Sequence, residues 1–189
     1  MSERITVYVL DTSYEVYGSE PHIIIWGIDE NGNRVVLRDR RFRPYFYAVL
    51  DPSYYDKANE IASLIKQLSK PRSPIINVSP IERRYFGKPM KVFKIVTAIP
   101  EYVREYREDV KKIPGIIDVL EADIRFTMRY LIDNDILPNT WHEFKVVSRN
   151  KNPDYRVDYE YEILEINERV DSIKLPNLRM VAFDIEVYN

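Results

Sequence analysis

The stretch FRPYFYAVLD (residues 42–51) opens a series of patterns that runs to Ile124. After its proline it reads as a strand, because Tyr45–Leu50 is aromatic, β-branched or apolar throughout. DKANEIASLIKQLSK (56–70) changes the period and puts Ile61, Leu64, Ile65 and Leu68 on one helical face. SPIINVSPIERRYF (73–86) and MKVFKIVTAI (90–99) return to extended patterns joined by the turn GKP. PEYVREYREDVKKI (100–113) starts with a proline suited to a first helical turn and spaces Val103, Tyr106, Val110 and Ile113 helically. Gly115 stops that helix, and IIDVLEADI (116–124) reads as a strand.

The order is β-α-β-β-α-β, which predicts a ferredoxin-like unit: a four-stranded antiparallel sheet with both helices on one face. Such a unit permits many functions and decides none. Before it, ITVYVLDT (5–12), HIIIWGID (22–29) and VVLRD (35–39) form a meander, with Asn31-Gly32 as a hairpin turn. After it, RFTMRYLIDNDILP (125–138) is expected as a helix with Met128, Leu131, Ile132 and Ile136 inward. EFKVVSRN (143–150) and YRVDYEYEI (155–163) then make a hairpin that turns near Asn152-Pro153. Its second arm alternates Tyr155, Val157, Tyr159, Tyr161 and Ile163 against Arg156, Asp158, Glu160 and Glu162. The fold class is therefore α+β, with one domain over 1–138 and an acidic β stretch over 139–189.

Composition narrows the function classes. The 189 residues are 45% hydrophobic and 31% charged, ordinary for a globular protein. No apolar run approaches the roughly 18–20 residues of a membrane-spanning helix, and the start MSERITVYVL is no signal peptide. A cytoplasmic location and no membrane partner are the expectation. Cysteine is absent and His22 and His142 are the only histidines, which argues against disulfides and structural zinc. One glutamine, five glycines and many charges of both signs lean toward a thermophile. The net charge of −2 places any nucleic-acid site in a local patch.

Two such patches stand out. RDRRFRPYFY (38–47) interleaves Arg40, Arg41 and Arg43 with Phe42, Tyr45 and Phe46, and ERRYFGKPMKVFK (82–94) does the same with Arg83, Arg84 and Lys88. Guanidinium groups neutralise phosphates, and aromatic planes stack unpaired bases. An equally direct reading makes the aromatics core and the arginines a solvated edge that discourages strand pairing. An RNA-recognition domain shares the element order, but GKPMKVFKIV lacks the glycine-aromatic signature of its central strand. At the far end, MVAFDIE (180–186) reads as a buried strand that presents Asp184 and Glu186 on one face, where two carboxylates can supply a share of a divalent-metal site.

RRFRPYFYAVL, YFGKPMKVFKI, IIDVLEADIRFTMRYLIDNDILP and MVAFDIEVYN, in this order and spacing, resemble the N-terminal region of archaeal family B DNA polymerases. The resemblance covers most of residues 35–138 and again 178–189. It implies a domain that binds single-stranded template DNA and holds deaminated bases, uracil above all, to stall copying. By position the resemblance assigns that pocket to Tyr14, Pro44, Tyr45, Phe46, Val103, Phe126 and Arg129. It makes FDIE the first motif of an RNase H-like 3′→5′ exonuclease domain, with Asp184 and Glu186 as partial ligands of Mg2+ or Mn2+ in the full-length enzyme. The other exonuclease carboxylates and the polymerase motifs are not in this chain, so no complete catalytic site is expected in it. The implied partners are template DNA, the remainder of the polymerase and a sliding clamp reached through other regions. Competing expectations are a standalone single-stranded RNA-binding module and a purely structural scaffold.

Overall fold

The computed structural model describes residues 1–171 and 173–187. It is a mixed α+β fold, mostly strand. The elements are β1 (Ser2–Tyr17), β2 (Glu20–Asp29), β3 (Arg34–Asp39), β4 (Tyr45–Leu50), α1 (Ala58–Gln67), β5 (Ile75–Tyr85) and β6 (Lys88–Thr97). They continue with α2 (Val103–Val110), β7 (Ile116–Leu120), α3 (Phe126–Asp133), β8 (Trp141–Arg149) and β9 (Tyr159–Val170). No helix among the described residues is long and apolar enough to cross a membrane.

The chain folds as two compact units, neither continuous in sequence. One comprises Met1–Asp11, Ile25–Leu37 and Leu137–Asn189, the other Thr12–Ile24 and Arg38–Ile136. The first is built on a closed barrel in the order β1-β2-β3-β9-β8. Closure comes from antiparallel pairing of Ser2–Tyr8 with Val147–Trp141, which joins the expected meander to the expected hairpin. Val7, Ile25, Phe144, Val146 and Ile163 are buried in this unit. Gly27 is obligatory there, since a Cβ would lie 2.3 Å from Val7 Cγ1 and 2.6 Å from the Tyr8 carbonyl oxygen. The second arm of the hairpin departs from simple alternation. Glu160 is buried and accepts a hydrogen bond from the Asn152 N–H at 2.8 Å, while Tyr159 is exposed. An acidic side chain turns inward here because it satisfies the backbone of the turn.

In the second unit the sheet order is β5-β6-β4-β7, every neighbour antiparallel. Alternation along β4 divides its side chains between two cores. Phe46, Ala48 and Leu50 pack with Ile61 and Ile65 of α1 and with Tyr106 and Val110 of α2. Tyr45, Tyr47 and Val49 pack on the other face with Val92, Phe42, Ile81 and Leu120. The Tyr106 hydroxyl is buried but satisfied, donating to the Ser73 carbonyl at 2.6 Å and accepting from the Lys70 N–H at 2.7 Å. β5 is an edge strand, which is where its Pro80 is tolerated.

Two expectations change. In α3 the buried residues are Phe126, Arg129, Tyr130 and Leu131, while Met128 and Ile132 are 50% and 57% exposed. The buried face centres on an arginine because Glu121 and Asp133 neutralise it. Residues 173–187, expected to contain a buried strand, have no regular secondary structure, and Met180, Val181, Phe183 and Ile185 are exposed. An apolar run becomes a strand only where other strands take up its backbone groups, and no described strand pairs with it. Tyr188 and Asn189 of the closing motif lie outside the described residues.

Candidate functional site

A cavity of about 550 Å³ opens in the second unit where four separate segments meet. Tyr14 comes from the β1–β2 hairpin, Pro44 and Tyr45 from the entry to β4, Val103 from the first turn of α2, and Phe126 and Arg129 from α3. Glu101, Arg104, Arg107 and Arg125 complete much of the rim.

Aromatic packing sets the wall. Phe126 is stacked against Phe42 with ring centroids 5.4 Å apart and is met edge-on by Tyr14, also at 5.4 Å. Below it the loop 38–44 is pinned by the buried carboxylate of Asp39. That carboxylate accepts from the Arg41 backbone N–H at 2.9 Å, from Arg41 Nε and Nη2 at 3.0 and 2.7 Å, and from the Tyr130 hydroxyl at 3.1 Å. Burial, and then the nearby Asp39 charge, push the Tyr130 phenol well above its ordinary pKa, so it stays a donor. Pro44 is thereby held at the cavity edge, its carbonyl accepting from Thr97 N–H at 3.0 Å.

Tyr45 and Arg129 form the charged corner. The Tyr45 hydroxyl donates to Asp133 Oδ2 at 2.7 Å, and its ring lies 3.8 Å from Lys94 Nζ and 4.9 Å from Arg129 Cζ. Burial first and Asp133 second raise the Tyr45 pKa, so the phenol remains protonated. Arg129 pairs with Glu121 and reaches Asp133 at 3.8 Å. Burial alone would lower the Arg129 pKa, but Glu121, Tyr45 and Asp133 outweigh it and the guanidinium stays charged. Tyr14 is likewise raised, by burial and then by Glu101, whose carboxylate its hydroxyl approaches at 3.4 Å.

The fold thus brings Tyr14, Pro44, Tyr45, Val103, Phe126 and Arg129 to one cavity. Phe46 is elsewhere: it is fully buried on the helix side of the sheet, because adjacent residues of a strand face opposite ways. Arg41 is committed to Asp39, and Arg43 folds back onto the carbonyls of Arg40 and Phe42 at 2.6 and 3.0 Å. Neither these two nor the exposed Arg40 lines the cavity. Arg83 and Arg84 line a second cavity of about 290 Å³, with Tyr47 and Leu120 from the outer sheet face, and Lys88 is exposed beside the β5–β6 turn. Sequence reasoning missed Arg104, Arg107 and Arg125. The signal was present, since Arg104 and Arg107 are neighbours of Val103 on α2, three apart and so on one side of it.

Asp184 and Glu186 are both exposed, and Asp184 Oδ1 accepts from the Ile185 N–H at 2.8 Å. Two carboxylates two residues apart suit a share of a hard divalent ion, which takes about six oxygen ligands. They fit part of a site, and among the described residues no third carboxylate or histidine joins them.

Residues 117–189 match the family model described as DNA polymerase family B, exonuclease domain. The chain is 42% identical over 185 residues to DNA polymerase 2 of Aeropyrum pernix, which spans 96% of this chain and 23% of that protein. It is 34% identical over 182 residues to DNA polymerase 3 of Saccharolobus shibatae, 96% of this chain and 22% of the other. The structure of the family B DNA polymerase from the hyperthermophilic archaeon Pyrobaculum calidifontis matches with a TM-score of 0.78 and 37% identity, over 90% of this chain and 21% of that one. The chain therefore spans less than a quarter of the length of these relatives. By sequence and by fold together it belongs to the archaeal family B DNA polymerases and corresponds to their N-terminal region.

Proposed function

We propose that this chain binds single-stranded template DNA and takes a deaminated base, uracil, into the cavity between β4, α2 and α3. The observation that carries the reading is the meeting of Tyr14, Pro44, Tyr45, Val103, Phe126 and Arg129 around one space of about 550 Å³. The β4-α1-β5-β6-α2-β7 order and the sheet order β5-β6-β4-β7 suit a ferredoxin-like unit as scaffold.

Chemistry supports uracil as the occupant. Phe126 and Tyr45 offer apolar ring surface, and Val103 is a wall that a thymine methyl would meet. Reading a base out of its stack in a closed pocket is the strategy of base-flipping enzymes. Backbone polarity supplies the edge contact. The Pro44 carbonyl points to β6, so alternation turns the Tyr45 N–H and C=O the other way, toward the β7 side. Register with β7 reaches only Tyr47–Leu120, which leaves that donor–acceptor pair beside the cavity. Uracil presents the complementary donor and acceptors, whereas cytosine presents a reversed edge and is rejected. Arg104, Arg107 and Arg125 on the rim neutralise the flanking phosphates.

The full-length protein is read as a DNA-directed DNA polymerase with a 3′→5′ exonuclease, with residues 1–138 as its template-binding domain. Residues 139–189 then lead into the exonuclease domain, where Asp184 and Glu186 contribute to Mg2+ or Mn2+ binding and where two-metal chemistry is completed by residues from other regions. A sliding clamp is a partner of those other regions. Fluorescence anisotropy with 12-mers carrying one central deoxyuridine or thymidine tests the reading. Uracil DNA is expected to bind at least tenfold more tightly, with affinity that falls as salt rises. Equal affinity for the two, or a flat salt response, overturns it.

A further inference from the structure

We infer that the outer face of the four-stranded sheet carries a second single-strand subsite, which takes the nucleotides adjoining the base held in the first cavity. The one-sheet face that packs no helix α1 or α2 is aromatic and basic: Tyr45 and Tyr47 of β4, Lys94 of β6, and Arg83 and Tyr85 of β5 share it by register. The cavity of about 290 Å³ on it is floored by Tyr45, Tyr47, Val92 and Leu120 and rimmed by Arg83 and Arg84. Tyr85 arches over this space, its hydroxyl donating to Asp118 of β7 at 3.0 Å.

Charge selects the occupant. The two acids of the lining, Glu121 and Asp133, are both engaged by Arg129. Arg83 and Arg84 have no carboxylate partner among the described residues. Arg83 donates to the Glu82 carbonyl at 3.1 Å and lies 5.8 Å above the Tyr47 ring. Two exposed guanidinium groups hold a phosphate, and because Tyr45 and Tyr47 are themselves buried beneath cations, the ring surface open to a base is that of the hairpin tip. At the hairpin tip Phe86 is 89% exposed with φ +46°, a conformation that is strained for a bulky residue. Its ring meets Tyr85 edge-on at 4.6 Å, so it extends the aromatic surface beyond the groove.

Continuity gives the direction. Tyr45 and Arg129 line both cavities, so a strand leaving the first passes directly over them into the second. The assignment rests on the proposed nucleotide occupancy of the first cavity only for that path. The groove itself recognises phosphate and ring surface whatever the base.

The variants are therefore compared on a ligand without uracil, and uracil oligonucleotides enter only to compare RNA with DNA on the wild-type chain. A dT12 oligonucleotide is titrated against the wild-type chain, Arg83→Gln/Arg84→Gln and Phe86→Ala at several salt concentrations, with Arg83→Lys/Arg84→Lys as the charge-retaining control. The glutamine pair is expected to bind about tenfold more weakly at low salt and to flatten the salt slope by about 1.4, two phosphates' worth. Phe86→Ala is expected to weaken binding with the slope unchanged, and the lysine pair to keep the wild-type slope. Each variant's thermal midpoint is checked against wild type to separate binding from folding. Wild-type affinity in the glutamine pair, no dT12 binding by wild type, polyglutamate bound as tightly as dT12, or a uridine RNA 12-mer bound tenfold more tightly than dU12 overturns the proposal. Loss of dT12 binding in the glutamine pair without any uracil preference in wild type keeps this groove and removes the uracil reading. A uracil preference with an unaffected glutamine pair does the reverse.

Discussion

Tyr45→Phe isolates one atom at the corner of the cavity. The hydroxyl donates to Asp133 at 2.7 Å, and burial with that carboxylate keeps it protonated. A hydrogen bond to a charged partner contributes about 1.5–3 kcal/mol. The Asp133 side chain is 27% exposed and also sees Arg129 at 3.8 Å, so water takes over part of the lost donor. The low end applies, about 1.5 kcal/mol. At about 2–4 °C per kcal/mol for a chain of this size, the midpoint should fall by about 3–6 °C in a thermal melt followed by circular dichroism. The ring keeps its place between Lys94 and Arg129, so uracil affinity should stay within about twofold of wild type. An unchanged midpoint would show that the bond adds nothing over solvation of the two groups. A tenfold loss of uracil binding with an intact fold would show that the hydroxyl, and not the ring, contacts the base.

Val103→Gln places a longer polar side chain in the cavity wall. It should reduce uracil affinity by about 5- to 150-fold, an overpacking cost of about 1–3 kcal/mol, while the melt shifts little because Val103 is only half-buried. Gly115→Ala should destabilise by about 2 kcal/mol or more in urea unfolding, since φ is +89° and a Cβ would lie 2.7 Å from Tyr54 Cγ. Arg41→Gln should lower the melting midpoint and leave the salt slope of DNA binding unchanged, whereas Arg104→Gln should do the opposite. Arg34 holds the Asp158 carboxyl at about 2, below its ordinary 3.8. Its contribution to stability is complete above about 3.8 and is lost as pH falls through about 2, so Asp158→Asn should lower the midpoint at pH 7 and converge with wild type in acid.

Local periodicity made β4, α1, β6 and α2 legible, because each presents one apolar face at the spacing its own geometry demands. It failed at α3, where Met128 and Ile132 look like core and Arg129 does not. Hydropathy assigns a buried arginine to the surface, and only Glu121 and Asp133, brought in by folding, reverse that. The barrel was hidden for a different reason. Pairing of Ser2–Tyr8 with Trp141–Val147 is non-local, and both segments read equally well as separate hairpin arms. Among the site residues, family resemblance pointed to the six around the larger cavity, yet it placed Phe46 with them although its neighbour Tyr45 occupies that face. The arginines of RDRRFRP looked like a phosphate patch because Asp39 reads as one more surface charge. In the fold it is buried and takes Arg41 for itself.

The central claim is that uracil, and not thymine, enters the larger cavity, whose lining includes Ala122 as well as the wall residue Val103. A proton–carbon methyl spectrum of the chain, recorded with stoichiometric 12-mers, reads that directly. A central deoxyuridine should shift the methyl signals of Val103 and Ala122 while those of Val7 and Val146 in the barrel stay fixed, and thymidine at the same position should leave all four where they are. Equal shifts of Val103 and Ala122 with both oligonucleotides, or none with uracil at saturating DNA, would contradict the account.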